Sequence, residues 1–177
     1  MGQWDKGVDY EKTYNLILKT MLKNIGKNKV NACYDAVLLI QLRNGLRISE
    51  AVRSFKKYLT TGEKELYVEL SKKKTHEERL TIIPDEIYVN KNVKKICSEL
   101  IKIVDDKLVK RVKVYSLRKY RINTHSLRYS FITYLLEQGV NPAIVSKIVK
   151  HSKLDLLLTY VQKRIADDVL KNLDYFR

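Results

Sequence analysis

Apolar side chains recur at helical spacing in the first part of the chain and predict three helices. The first covers Tyr10–Leu22, and Gly26 is expected to end its pattern. The second is expected to begin at Asn31, whose side chain can cap a helix, and to break at Gly45. A short third helix is expected over Ile48–Phe55.

The period then changes to the alternation that is typical of strands. Glu65–Ser71 and Arg79–Ile83 alternate in this way, a polar connection of hairpin length joins them, and Pro84 follows. Helical spacing returns afterwards, and the remaining predicted helices are Asn92–Val104, His125–Gln138, Pro142–Val149, Lys153–Val161 and Ala166–Tyr175. The pattern therefore predicts a mainly α fold with one small antiparallel β-hairpin, in the α+β class.

Length and composition fit one domain, or one domain with short extensions. The chain has 177 residues, of which 45% are hydrophobic, enough to build a core. No apolar run approaches the roughly 20 residues of a membrane helix, and the polar start does not resemble a signal peptide. Cys33 and Cys97 lie in apolar helical contexts without metal-ligand neighbours, so both are expected to be free, buried thiols in a reducing compartment.

Charge adds the first functional indication. The chain has 35 Lys and Arg against 20 Asp and Glu, a net charge of +15, and its pI is near 9.7. Residues 107–121 contain seven basic side chains and no acidic one, whereas a solvated face usually mixes the two signs. The seven are Lys107, Lys110, Arg111, Lys113, Arg118, Lys119 and Arg121. We therefore expect this block to contact a polyanion, with nucleic acid as the first candidate.

Three short segments hold candidate chemistry. In the first, a glycine permits a sharp turn, Arg47 lies near a helix start, and Glu50 is placed to hold its guanidinium. In the second, His125 and Arg128 are three residues apart, which puts them on one helix face. The third contains a histidine and one of the twelve tyrosines, and two of the three histidines fall in these segments.

Together these segments resemble the tyrosine recombinase, or phage integrase, family, of the Xer-like or archaeal-virus type. GLRISE is similar to its first arginine box, THSLRYSFITYLLEQG to its His-x-x-Arg box, and VSKIVKHSKLDLLLTY to the box that precedes the nucleophile. The resemblance covers about residues 9–165 in the family's order. Lys150 stands where the family usually has glycine, and Tyr129 replaces a frequent histidine.

The resemblance implies the catalytic set Arg47, Lys74, His125, Arg128, His151 and Tyr160, supported by Glu50. Tyr160 is the implied nucleophile, and His151 precedes it by nine residues. Members of the family have a lysine in a β-hairpin. Lys74 matches the position of that lysine best, and Lys72 and Lys73 are the alternatives. Lys72 and Lys73 are also expected to contact DNA.

The implied reaction is DNA strand cleavage and rejoining through a 3′-phosphotyrosyl intermediate, without ATP, metal or another cofactor. Two guanidiniums are suited to this chemistry because they donate paired hydrogen bonds to phosphoryl oxygens as negative charge develops there. The sequence shows no Asp/Glu cluster of the kind that holds a divalent metal. A type IB topoisomerase and a silent DNA-binding descendant of an integrase are the alternatives.

The resemblance also implies how the chain is divided into domains and which partners it has. We expect one catalytic domain over residues 1–177, with residues 9–165 as the family core and no N-terminal core-binding domain. Residues 166–177 are expected to form a helix that packs on its own domain or on a neighbouring protomer. The expected partners are double-stranded DNA and further copies of the chain, from dimer to tetramer. We expect a prokaryotic or viral protein that acts in the host cytoplasm, on the nucleoid.

Overall fold

The computed structural model of the protein describes residues 8–70, 77–87 and 97–150. Six longer helices and two strands lie in these ranges, and residues 97–101 are also helical. The helices are α1 (Tyr10–Lys27), α2 (Lys29–Asn44), α3 (Ile48–Thr61), α4 (Asp105–Tyr120), α5 (Thr124–Glu137) and α6 (Pro142–Val149), and the strands are β1 (Glu65–Glu69) and β2 (Glu78–Ile82). The mainly α prediction with one antiparallel hairpin is confirmed.

The ends of the first helices differ from the prediction. Helix α1 continues through Gly26, because its packing against α2 outweighs the cost of about 1 kcal/mol that glycine carries inside a helix. Asn28, not Asn31, caps α2, and its side-chain oxygen accepts from the Asn31 amide at 3.1 Å. Helix α3 runs beyond Phe55 to Thr61 because buried positions continue at helical spacing, and Gly62 ends it with φ +76°.

The β-hairpin directs one alternating set of side chains inwards. The strands are antiparallel, with Tyr67 opposite Leu80 and Val68 opposite Arg79. Tyr67 and Leu80 are exposed, whereas Val68 and Arg79 are buried. The predicted strands are therefore confirmed, with each one ending slightly earlier than expected. An arginine on the buried face of a strand is unusual and needs a reason.

Helix α4 was not predicted, because its sequence was interpreted only as a charged block. Its buried side chains, Leu108, Val109, Val112 and Ser116, nevertheless have helical spacing. Val104 was expected to end the preceding helix, but it is 72% exposed and precedes α4 as its N-cap. The chain turns there, so Val104 belongs to no packed face. Residues 92–96 of that predicted helix lie outside the described residues.

A buried carboxylate fixes α4 against the first two helices. Asp35 of α2 accepts from the Tyr120 hydroxyl at 2.6 Å and from the Asn24 amide at 2.8 Å. Burial raises the pKa of Asp35, and the hydrogen bonds to its charged form oppose this rise. The network joins α1, α2 and the C-terminal end of α4, and so it orients the basic helix.

The prediction of free cysteines is wrong. Cys33 and Cys97 form a disulfide between α2 and residues 97–101, with their Cα atoms 6.5 Å apart. Both side chains are fully buried, and the Cα separation lies within the range that a disulfide spans. The two residues are 64 positions apart, so their proximity depends on how the helices pack, and spacing along the chain does not encode it.

Two compact units divide the chain between Phe131 and Ile132. In the first unit, one apolar core extends from Ile17 of α1 to Leu127 of α5. In the second, the described part comprises the end of α5 and helix α6, where Val145 and Val149 are buried. Among the described helices, none combines the length and apolar character that crossing a bilayer requires.

Candidate active site

The loop between α2 and α3 presents Arg47. Gly45 occupies the left-handed region there, with φ +59°, as the predicted sharp turn requires. The Gln41 amide donates to the backbone oxygens of Leu46, at 3.2 Å, and Thr124, at 2.9 Å. These two hydrogen bonds attach the loop to the first turn of α5, so the two predicted arginine boxes are adjacent.

Glu50 holds Arg47 from within the first turn of α3. The Arg47 Nη1 atom donates to Glu50 Oε1 at 2.9 Å, and the Arg47 backbone N–H donates to Glu50 Oε2 at 3.0 Å. The Glu50 side chain is fully buried, whereas that of Arg47 is 25% exposed. The contact expected from the sequence therefore forms, and it leaves part of the Arg47 side chain accessible.

Arg128 approaches the same loop from α5. Its Nη1 atom donates to the Gly45 backbone oxygen at 2.6 Å, and the residue is only 1% exposed. Burial, reinforced by the positive charge of Arg47, lowers the pKa of Arg128 to about 10, and Glu50 opposes this shift. The guanidinium therefore remains charged at neutral pH. Arg47 and Arg128, which are far apart in sequence, are brought to one loop.

Arg79, which is not among the predicted site residues, joins this group. Its Nη2 atom donates to the Asn44 backbone oxygen at 2.6 Å, and its Nη1 atom lies 3.9 Å from Glu50 Oε2. The Asn44 side-chain amide also donates to the Ile82 backbone oxygen at 2.8 Å and accepts from the Ile82 backbone N–H at 2.9 Å. Strand β2 is thus attached directly to the loop that presents Arg47.

These four residues form a cationic cluster: Arg47, Arg79, Arg128 and Glu50. Arg47 and Arg79 pair with Glu50, and Arg128 donates to the loop beside them, so these four residues together carry a net charge of +2. A buried excess of charge is costly unless it is matched, and it favours an anion that can approach. Planar guanidiniums suit a phosphate in particular, because each one can donate two parallel hydrogen bonds.

His125 is placed differently from Arg128. It is exposed in the first turn of α5, and its backbone N–H donates to the Asn123 side-chain oxygen at 3.0 Å. Its ring meets the Tyr129 ring edge to face, with centroids 4.7 Å apart. His125 is therefore accessible on the helix that contributes Arg128, while Arg128 itself faces the interior.

The basic block of residues 107–121 lies on α4 and at its C-terminus. Its seven cationic side chains are all exposed, and the apolar Val114 and Leu117 are exposed among them. The seven are Lys107, Lys110, Arg111, Lys113, Arg118, Lys119 and Arg121. A helical segment whose exposed charges are all positive, as they are over residues 107–121, is the arrangement expected of a phosphate-backbone contact.

The remaining candidates lie outside the described residues. They are the hairpin lysines Lys72, Lys73 and Lys74, together with His151 and Tyr160.

Gly45 is required for more than its turn. A Cβ atom there would lie 2.3 Å from Phe131 Cδ1 and 2.8 Å from Cε1, so the aromatic ring occupies the space of a side chain. We expect Gly45→Ala to lower the free energy of unfolding by about 2–5 kcal/mol, through left-handed backbone strain and overpacking. Chemical denaturation measures this change.

Gly62 provides the matched control for that substitution. It also has a positive φ, +76°, but nothing lies within 4 Å of a Cβ built there. Gly62→Ala is therefore expected to cost only the strain, about 1–2 kcal/mol. Equal losses for the two variants would show that contact with Phe131 does not constrain Gly45.

A family profile and two named relatives indicate one family. Residues 84–166 match the profile of the phage integrase family. "Putative integrase ORF241" of Acidianus two-tailed virus is 37% identical over 173 residues, which cover 97% of this chain and 69% of that protein. "Uncharacterized protein MJ0770" of Methanocaldococcus jannaschii is 34% identical over 97% of this chain and 89% of its own length. "Putative integrase V10" of Sputnik virophage is 29% identical over 94% and 88%, respectively. No solved structure matches.

Proposed function

Because the chain belongs to the phage integrase family, we propose that it cleaves and rejoins DNA through a covalent link to Tyr160. Membership of the family implies site-specific DNA recombination, and the covalent step is the finer proposal. The observation that carries it is the cluster of Arg47, Arg79 and Arg128 around the single carboxylate of Glu50. Two guanidiniums held in this cluster, those of Arg47 and Arg128, can donate to a phosphodiester whose negative charge grows during displacement.

In the proposed first step, the Tyr160 phenolic oxygen attacks the phosphorus and the bond to the 5′-oxygen breaks. The tyrosine loses its proton to His125, and the departing oxygen gains one from Lys74, with Lys72 and Lys73 as alternatives. His151 donates a hydrogen bond to a phosphoryl oxygen.

Arg47 and Arg128 stabilise the negative charge that develops during this step. Arg47 is already partly accessible, whereas Arg128 reaches a phosphate only if the surrounding chain moves when DNA binds.

The second step reverses the first with a different strand. A 5′-hydroxyl attacks the phosphorus and gives its proton to the lysine, and the bond to Tyr160 breaks as the tyrosine oxygen regains a proton from His125. The number of phosphodiester bonds is unchanged, so the cycle needs neither ATP nor an oxidant. Exchange requires two strands to be cleaved together, and we therefore propose that at least two copies of the chain act on DNA.

A suicide-substrate assay tests this proposal. The chain is mixed with labelled duplexes of varied sequence that carry a nick beside the cleaved bond, so that the short 5′-hydroxyl fragment diffuses away and religation stops. We expect a protein–DNA adduct on a denaturing gel, formed in the presence of a metal chelator and without ATP. Proteolysis and mass spectrometry should locate the nucleotide on the peptide that contains Tyr160.

Two outcomes would contradict the proposal in different ways. Binding without an adduct on any duplex would favour a silent DNA-binding protein. An adduct that forms only with added metal would contradict the assignment of charge stabilisation to the arginines.

We also propose that α4 contacts the phosphate backbone. Each phosphate neutralised by a cation contributes about 0.9 to the slope of log affinity against log salt concentration. Lys107 and Lys110 lie one turn apart and are exposed. If both contact phosphates, the double variant Lys107→Gln/Lys110→Gln should reduce the slope by about 2, as measured by fluorescence anisotropy over a salt series.

Two lysines of α1 provide the control for this measurement. Lys12 and Lys19 are also exposed, but they lie on a different helix. Lys12→Gln/Lys19→Gln removes the same net charge and should leave the slope within about 0.5 of the wild-type value if the effect is local. Equal reductions in the two double variants would mean that net charge, and not α4, determines the binding.

A further inference from the structure

Arg79 is buried with an incomplete set of hydrogen bonds. It is 4% exposed, and within the described part of the chain its Nε and Nη1 atoms have no hydrogen-bond acceptor. Leaving buried donors unsatisfied costs stability, and the cost is larger for a charged group. An apolar residue would fit the inward face of β2 better, so the arginine needs a reason other than packing.

Two contacts of Arg79 indicate why an arginine occupies this position. Arg79 donates to the Asn44 oxygen, and Arg128 donates to the next backbone oxygen, that of Gly45, each at 2.6 Å. Two consecutive carbonyls of the loop are therefore fixed by guanidiniums from different elements. On its other side, Arg79 lies 3.9 Å from the Glu50 oxygen that also accepts from the Arg47 backbone.

We propose that Arg79 is a positioning residue of the phosphate site, which orients Arg47 through Glu50 and the Asn44 carbonyl and adds positive potential without touching DNA. This inference rests on the proposed function. Without Arg79, Glu50 would share its charge with fewer cations and would hold Arg47 more strongly in the ground state. The Asn44 carbonyl would also lose a donor, so the loop would become less rigid.

Burial explains how Arg79 can act without direct contact. Burial lowers the pKa of Arg79 to about 10, and the nearby Glu50 opposes this shift, so the group remains charged at neutral pH. In surroundings that contain little water, such a charge is screened less than one at the surface. A negative charge that grows on a nearby phosphoryl group is therefore stabilised even though other side chains lie between.

The test compares cleavage of two DNA substrates by Arg79→Met. One is the duplex identified by the adduct assay, and the other carries an uncharged methylphosphonate at the cleaved position. We expect Arg79→Met to slow single-turnover cleavage of the phosphate substrate by about 10- to 100-fold, as expected when catalytic groups are misplaced. The loss should shrink to less than about threefold on methylphosphonate, where less negative charge develops. DNA affinity should change little, because exposed cations dominate binding.

Arg53→Met is the matched control. Arg53 also donates to a backbone oxygen at 2.6 Å, that of Glu69, but this oxygen lies on β1 and not in the loop beside Glu50. Its replacement should leave the cleavage rate within about twofold, because the positioning of Arg47 does not depend on it. Arg79→Lys replaces the planar fork by an amine whose neutral form the same burial favours, so it should recover part of the rate as the pH falls.

Each outcome of the test has a definite meaning. Equal cleavage rates for wild type and Arg79→Met, or equal losses on both substrates, would overturn the inference alone. If Arg79→Met does not fold, the same two-substrate comparison with Arg79→Lys decides by the same criterion. The absence of any adduct with the wild-type chain would overturn the proposed function and this inference with it.

Discussion

Replacing Tyr160 with phenylalanine is expected to abolish the covalent DNA adduct completely. The substitution removes one oxygen atom, the proposed nucleophile, and keeps the aromatic ring, so DNA affinity should remain within about twofold of the wild-type value. A phenol has a pKa near 10, so the hydroxyl attacks only where nearby cations and a base assist its ionisation. A denaturing gel with suicide substrates measures the amount of adduct, and a parallel binding titration measures the DNA affinity of the same protein.

A second tyrosine provides a control that shows whether the loss of adduct is specific to Tyr160. Tyr67 on β1 is 58% exposed and lies on the outer face of the hairpin, opposite Leu80. Tyr67→Phe should form as much adduct as the wild type. An adduct that survives in Tyr160→Phe would exclude Tyr160 as the nucleophile, and peptide mapping would then identify the residue used instead.

The sequence predicted those parts of the site whose interacting residues are close together along the chain. Gly45 was expected to break α2, and it does so in the left-handed conformation. Glu50 was expected to hold Arg47 from three residues away, and the 2.9 Å contact forms. Pro142 was expected to open a helix, and α6 begins there. In each case the interacting groups lie within one helical turn or one bend, where spacing determines geometry.

Parts that depend on distant contacts were missed. Arg79 reaches the loop from a strand 35 residues beyond Asn44. In the sequence it is one basic residue among many, and only its place on the inward face of β2 distinguishes it. Helix α4 was missed for a different reason, because its strong charge obscured four buried positions at helical spacing. Counting those positions against a helical template would have found it.

The backbone also explains why lysine can replace glycine at position 150. Lys150 stands where the family usually has glycine, and its φ is +51° in the left-handed region that glycine adopts without strain. It ends α6, and its backbone N–H donates to the Ser146 oxygen. A cation at a helix C-terminus is favoured by the helix dipole, which offsets part of the strain. The substitution therefore keeps the turn that the glycine provides.

The second large effect is expected at Arg128. Arg128→Met keeps much of the side-chain volume and removes the charge, and it should slow cleavage by about 10²–10³-fold, the usual loss when one preorganised donor to a transition state is removed. The Gly45 oxygen also loses its 2.6 Å donor, which should cost about 1–3 kcal/mol of stability. Cleavage must therefore be measured at saturating DNA, well below the melting temperature of the variant. An unchanged rate would remove Arg128 from the proposed machinery.

Arg128→Lys separates charge from geometry, because pH reveals the charge state of the new side chain. The burial that lowers the pKa of Arg128 would also lower that of a lysine, which begins from a lower ordinary value. A lysine is charged below its folded pKa, so lowering the pH restores the missing charge. The ratio of variant to wild-type cleavage rates should therefore rise as the pH falls from about 9 to about 6. A ratio that stays low at every pH would show instead that the paired donors of the guanidinium, and not its charge alone, stabilise the transition state.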